Sequence, residues 1–322
     1  MPEQESFRLL PEQASTLAEE VDAVFKFLVA VGGFFIVIIF IFIVYFALKY
    51  HQSRNVNRKI EASKSSMLAV EVIWSIVPLI LVMIMFGWGA AIYFNQHTPP
   101  GDALEIHVVG KQWMWKLQHP DGQREINELH IPIGQPVRLQ MISEDVIHSF
   151  YVPAFRMKMD VLPGRYTSTW FQATQEGEYH LFCAEYCGTD HSKMRGRIVV
   201  MSPGAYAQWL QQQQPAVSRV ARGKELFEQF RCANCHLGTA PIAPSLAGVA
   251  GSQVQLAEGA MVVADRNYLR ESILDPSAKV VAGFQPRMPS FRGQLGEEAL
   301  FDLIEYLYSL RPEENSEEKR VP

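Results

Sequence analysis

Cys183-Ala-Glu-Tyr-Cys187-Gly-Thr-Asp-His191-Ser-Lys-Met194 sets two thiols four residues apart and follows them with an imidazole and a thioether. His148 stands upstream, on a segment that reads as a strand. Thiolate is the softest ligand a protein has, and a His, Cys and Met array suits a one-copper electron-transfer site with a weak axial thioether. The second cysteine changes the reading, because both thiolates can then bridge two metals that share one electron. The other two cysteines fall in Cys232-Ala-Asn-Cys235-His236, so none of the four is left for a structural disulfide. A chain whose cysteines all sit in two such clusters handles copper, iron or zinc, and it reads as an electron carrier.

The rest of the chain divides by composition. Its 322 residues are 48% hydrophobic and 20% charged with a net charge of −5, which predicts about two domains and excludes a nucleic-acid footprint. Segment 1–23 is acidic, the opposite of a secretory signal, and is expected to face outward without cleavage or lipidation. Residues 24–96 hold two charge-free apolar runs, Phe27 to Leu48 and Val72 to Phe94, predicted as membrane spans over about 25–48 and 70–94. The loop 49–69 between them carries Lys49, Arg54, Arg58, Lys59 and Lys64 against Glu61, so the positive-inside rule puts it in the cytoplasm.

Residues 97–201 switch to short alternating segments with turn signals at Asp121-Gly122, Ile133-Gly134 and Pro163-Gly164, which predicts an all-β sandwich. Residues 202–217 are polar and low in complexity and read as a linker, although Tyr206 and Trp209 can still reach the sandwich. Residues 218–312 turn helical, with Gly296 to Leu310 as an amphipathic helix, and 313–322 form a tail. His51, His97, His107, His119, His130 and His180 lack partners at ligand spacing and read as surface or satisfied residues, while Met157 and Met159 read as filler.

Ser143-Glu-Asp-Val-Ile-His148-Ser149, Val161-Leu-Pro-Gly-Arg165 and the Cys183 to Met194 stretch resemble the copper-A domain of cytochrome c oxidase subunit II, over residues 20–201. The resemblance implies a cupredoxin-like Greek-key sandwich with Cys183 and Cys187 bridging two coppers. His148 and Met194 would complete one, and His191 with the backbone carbonyl of Glu185 the other. It further implies a magnesium at the border with subunit I near the Glu185 side chain. Trp113 of Gln112-Trp-Met-Trp115 would be the aromatic through which electrons arrive, Trp115 being packing. Glu71 would lie at the mouth of a proton pathway. One departure is Lys116-Leu-Gln-His-Pro-Asp-Gly122, which lacks the family's run of aromatics and acids and so puts the usual docking of an external cytochrome in doubt.

Cys232-Ala-Asn-Cys235-His236 is a c-type haem attachment signature: two thiols add across the haem vinyls and the histidine becomes an axial ligand. Half of a zinc site is the other reading, but no second pair with zinc spacing exists. A methionine as sixth ligand raises the potential. From Val217 to about Pro312 the chain resembles class I cytochromes c, all-α in fold. There Met288 of Arg287-Met-Pro-Ser-Phe291 would be that ligand, with Met261 as competitor, and the Pro244 carbonyl would accept a hydrogen bond from His236. Gly223 would let the final helix cross closely near Tyr306.

Together the segments resemble subunit II of bacterial oxidases with a fused cytochrome c. The implied setting is the inner membrane, crossed more than once, with both redox domains on the periplasmic face. The implied partners are subunits I and III, an external cytochrome c or cytochrome bc complex as donor, and lipid. Oxygen reduction coupled to proton translocation would occur in subunit I. Two alternatives stay open: the same electron-input module serving a nitric oxide reductase, and an anchored electron carrier without a catalytic partner.

Overall fold

The computed structural model describes residues 10–57, 63–212, 217–237 and 242–310. Arg58, Lys59 and Glu61 of the basic loop, residues 213–216 near the end of the expected linker and the tail lie outside the described residues.

Two helices, α1 (Thr16–Lys49) and α2 (Lys64–His97), have 34 residues each. At about 1.5 Å per residue each exceeds a hydrocarbon core of about 30 Å. Their most apolar stretches are 0% buried within the chain, so they are not the core of a soluble bundle; side chains such as Ile36, Phe40, Ile73 and Phe86 face outward. Ser15 and Ser63 cap them, accepting from the amides of Ala18 and Ser66.

Both helices run past their apolar stretches and meet the sandwich. Arg156 donates from Nε and Nη2 to the Asp22 carboxylate at 2.7 and 2.9 Å, and from its two Nη atoms to the carbonyls of Pro11, Glu12 and Pro153. The Ser15 hydroxyl donates to Phe155 O, and Trp170 Nε1 donates to Asn95 O at 2.9 Å.

Ten strands follow: β1 (Leu104–Lys111), β2 (Met114–Gln118), β3 (Arg124–Ile126), β4 (Glu128–Pro132), β5 (Pro136–Ser143), β6 (His148–Val152), β7 (Met157–Val161), β8 (Thr167–Gln172), β9 (Gly177–Cys183) and β10 (Arg195–Met201). They form two five-stranded sheets, β3-β2-β1-β5-β8 and β4-β10-β9-β6-β7, with β1–β5 and β4–β10 parallel and the other pairs antiparallel. The inner faces bury Trp115, Phe150, Phe155, Phe171 and Leu139. The expected turn glycines Gly122, Gly134 and Gly164 have φ of 95°, 78° and 83°, a region where a side chain is strained. β2 alternates in burial along part of its length, but β1 is buried from Ile106 through Gly110. Its second face is therefore covered as well.

The cover is the C-terminal module. The expected linker begins as a helix, α3 (Pro203–Gln212), whose Trp209 stacks on His130 with centroids 4.6 Å apart while the Tyr206 hydroxyl meets His119 Nδ1 at 3.0 Å. Then come α4 (Arg219–Gln229), the one-turn α5 (Ala233–His236), a hairpin of β11 (Gln253–Gln255) and β12 (Met261–Val263), α6 (Arg266–Leu274) and α7 (Glu297–Ser309). The hairpin adds a small β element to the all-α expectation. α4 crosses α7 at Gly223, where a Cβ would stand 2.0 Å from Asp302 O.

α7 is buried on both sides. Toward α4 it presents Asp302 and Tyr306 to Gly223 and Phe227, while Ile304 and Leu307 are buried in the module's core. Toward the sandwich, Phe301 lies between His107 and Tyr166 with centroids 4.0 and 4.7 Å away.

Candidate copper and haem sites

β6 begins at His148, β9 ends at Cys183, and the register Phe150 to Cys183 sets these two strand ends side by side. The connection from β9 to β10 returns through a short 3-10 turn, His191–Lys193, and closes with Cys183 N donating to Met194 O at 3.1 Å. Four side-chain donors and the Glu185 carbonyl thus come from one stretch, and a fifth side chain, His148, from a neighbouring strand. Cys183 Sγ lies 3.8 Å from Cys187 Sγ, 3.9 Å from His148 Nδ1 and 3.2 Å from Glu185 O. Cys187 Sγ lies 3.3 Å from His191 Nδ1 and 3.7 Å from Met194 Sδ. A disulfide needs sulfurs about 2.05 Å apart, so both thiols are free. His148, Cys183, Cys187 and Met194 are buried, and the set of soft sulfur and imidazole donors fits copper.

Burial pushes the Cys183 thiol up, but hydrogen bonds with the His148 ring, the Glu185 and Ser149 backbone and Cys187 together outweigh it and bring the thiol below its usual range. Cys187 goes the other way, raised by burial and by the neighbouring sulfur. The pair is thus predisposed to lose one proton first. Burial opposes charge on His148 too, yet Cys183 and Asp145 raise it.

Asp145 is the residue that spacing alone did not single out. Its carboxylate sits 2.8 Å from His148 Nε2 and accepts from the amides of Gln112 and Val146 at 2.8 and 2.7 Å, so it holds the ring with Nδ1 toward the sulfurs. An outer carboxylate of this kind fixes a ligand's tautomer and basicity. The signal was present as an acid three residues before the histidine. Gln112 Nε2 and Trp113 Nε1 both donate to Cys187 O, at 2.8 and 3.2 Å. Trp113 is half-buried and touches the site, whereas Trp115 is buried in the core, edge-on to Phe150. The Glu185 side chain points outward beside Tyr186, which is 74% exposed.

In the second module α4 ends just before Cys232, whose amide donates to Phe227 O at 3.1 Å, and α5 carries Cys235 and His236. His236 Nδ1 meets Pro244 O at 2.7 Å, which leaves Nε2 as the ligating nitrogen. Met288 packs against the module's core, as do Phe230, Leu246 and Phe291. Met261 is 58% exposed on β12. Apolar Leu237 and Ile242 flank the attachment site, and two free thiols beside an oriented imidazole fit a covalent haem.

Three of the histidines read as satisfied have carboxylate partners. Glu125 sits between His119 and His130, at 2.7 and 2.5 Å. His107 Nε2 lies 3.2 Å from Glu105 and 3.6 Å from Glu305. Those three could be taken for a metal set, but Arg266 bridges both carboxylates, 2.8 Å from Glu105 and in contact with Glu305. It is an ion-pair network. Glu71 is exposed in the first turns of α2, outside both redox sites.

Three family models match the chain: "Cytochrome C oxidase subunit II, transmembrane domain" over residues 3–87, "Cytochrome C oxidase subunit II, periplasmic domain" over 123–202, and "Cytochrome C oxidase, cbb3-type, subunit III" over 218–307. Among curated relatives, cytochrome c oxidase subunit 2 of Alkalihalophilus pseudofirmus is 28% identical, over 76% of this chain and 73% of its own. That of Thermostichus vulcanus is 28% identical, over 74% and 82%. The alternative cytochrome c oxidase subunit 2 of Bradyrhizobium diazoefficiens is 29% identical, over 57% and 76%. A solved periplasmic domain of subunit II from Bradyrhizobium japonicum is 33% identical over 35% of this chain and 95% of its own, with a TM-score of 0.34. The subunit II match implies a copper A centre on a periplasmic domain, and the third match implies a haem. The chain belongs to the subunit II family of the cytochrome c oxidases, membrane-bound haem-copper oxidoreductases, and carries a cytochrome c domain behind its copper domain.

Proposed function

We propose that the chain accepts electrons at a haem c held by Cys232, Cys235, His236 and Met288, passes them to a two-copper centre, and delivers them to the oxygen-reducing subunit I. The copper ligands are His148, Cys183, Cys187, His191, Met194 and the carbonyl of Glu185. The observation that carries this reading is the convergence of those six donors, with neighbouring pairs 3.2–3.9 Å apart around two free thiols. When bound, both groups supply one-electron chemistry.

The protein's part is to keep that chemistry cheap in reorganisation. Asp145 and Pro244 hold the two histidine rings in their ligating orientation. The ladder between β6 and β9 fixes Cys183 before an electron arrives, and Gln112 and Trp113 hold the Cys187 carbonyl. Trp113, bonded to Cys187 O, is the proposed route from the surface to the sulfurs. Burial excludes water from Cys187 and Met194.

Around the site, Glu185 reaches a magnesium at the border with subunit I, and Glu71 lies at the mouth of a proton pathway completed by that subunit. Both α1 and α2 cross the inner membrane with their basic connection in the cytoplasm, beside subunits I and III and lipid. The donor is an external cytochrome c or a bc complex.

Electron paramagnetic resonance with metal and haem analysis of the purified complex tests this. An unpaired electron shared equally by two coppers, one covalent haem on this chain, and oxygen consumption are expected. A single-copper spectrum, or nitric oxide consumption in place of oxygen, would overturn it.

A further inference from the structure

The covered face of the sandwich is matched to the module lying on it in shape, charge and direction. In shape, Phe301 is fully buried between His107 and Tyr166. In charge, the two sides are complementary. Glu105 of the sandwich receives Arg266 at 2.8 Å and its carbonyl receives Arg219 at 3.3 Å. Lys116 and Arg124 of the sandwich meet Glu298 at 2.9 and 3.3 Å. Gln118 donates to Asp302 at 3.2 Å, Arg270 donates to Gly164 O at 2.8 Å, and the Tyr166 amide donates to Asn267 at 2.8 Å. His107, Arg219 and Asp302 are all below 5% exposed. Charges buried this deeply are costly when separated from their partners, so the contact is not that of a module drifting on a string.

Direction follows from the order of these contacts. β1 and β5 run parallel from the Glu105 end toward Gly110 and Ser143. The first residue of α4 touches Glu105, while Leu226 and Gln229 near its last turn share a cleft of about 410 Å³ with Glu144, just past β5. α4 therefore runs along β1. α7 runs against it, with Glu298 at Lys116 and Glu305 at His107. Beyond the Glu144 end lie Asp145, His148 and the β1–β2 tip with Gln112 and Trp113. Beyond α4's last turn lies Cys232, and the loop from Met288 leads into α7's first turn.

We propose that the face built by β1, β2 and the end of β5 is a docking surface for this chain's own cytochrome module, keyed by Phe301 and the Glu105–Arg266–Glu305 cluster, which makes the haem a fixed relay over the copper end. The inference rests on the electron path proposed above. It also closes this face to a separate cytochrome, which must deliver to the haem instead.

The test follows haem-to-copper transfer after rapid photoreduction of the haem in the purified complex, with and without glycerol. The wild-type rate is expected to be independent of viscosity. Glu105→Arg and Arg266→Glu should each slow transfer about tenfold or more and make it viscosity-dependent, since only the tether then supplies local concentration. Haem and copper spectra should stay unchanged, and the double variant should recover part of the rate. A viscosity-dependent wild type, or single variants with unchanged rate, would overturn the docking proposal and leave the electron path standing. A haem that never reduces copper in the wild type would overturn the path itself, and the docking role with it.

Discussion

The copper and haem sites solve the same problem from opposite starting points. His148, Cys183 and Met194 stand at strand ends, so hydrogen-bond ladders place the copper donors whether or not metal has arrived. The haem donors stand on a one-turn helix and on a loop, and Phe230, Leu246 and Phe291, apolar residues of the same module, are only partly buried against its core. A ladder makes a site that exists before its cofactor; a crevice makes one that the cofactor completes.

The largest effects should come from removing thiols, and they should be unequal. Cys183→Ser is expected to abolish the shared-electron copper spectrum while the haem stays attached and the sandwich keeps its melting temperature. Cys232→Ala should lose the covalent haem and unfold the module around α4 and α7, seen as lost helical circular dichroism with copper retained. Loss of both cofactors from a folded chain in either variant would erase the contrast. Gly223→Val comes next: its first added carbon meets Asp302 O at 2.0 Å, beyond what overpacking absorbs at about 1–3 kcal/mol. Haem yield should fall and copper should not.

Arg156→Ala should cost about 3–5 kcal/mol by leaving Asp22 buried without its partner. Thermal melts would show this, together with slower copper-to-subunit I transfer at an unchanged copper spectrum. Lysine should not restore it, because one ammonium cannot reach the carboxylate and the carbonyls of Pro11, Glu12 and Pro153 together.

The smallest effect concerns pH. Burial raises Glu105 and Glu305, but His107 and Arg266 outweigh it and hold both below the usual carboxylate range. A depressed carboxylate stabilises docking above its unfolded pKa of about 4.5 and loses that contribution as pH falls through the folded value. Asp302, raised by burial despite Arg222, opposes this trend. The haem module's melting temperature should therefore be flat near neutrality and fall in acid, less steeply in Glu105→Gln.

What could be read in the sequence was whatever local spacing controls: the two cysteine motifs, the apolar runs, the turn glycines, and the demand for Gly223 where helices cross. Asp145 was harder to single out because its role depends on a ring orientation that β6 sets. The periodicity of α7 gave its stripe of Phe301, Ile304 and Leu307, but nothing local announces that Asp302 and Glu305 meet a second covering surface. His107 is the same lesson from the other side: Glu105 is two residues away, but Glu305 and the Phe301 ring stacked on it come from far along the chain. α3 hid inside a polar, low-complexity stretch because the anchors that seat it, His119 and His130, lie on the sandwich.

That anchored helix has a consequence for how such a protein can be built. α3 is fastened by Trp209 and Tyr206 and the module is fastened through α7, so the seats on either side of residues 213–216 are set by the sandwich. Doubling the length of a loop whose ends are already held costs only about 0.6 kcal/mol. The seam is thus the place where insertions are tolerated, and where the two halves could be encoded as separate polypeptides and still find the same seat.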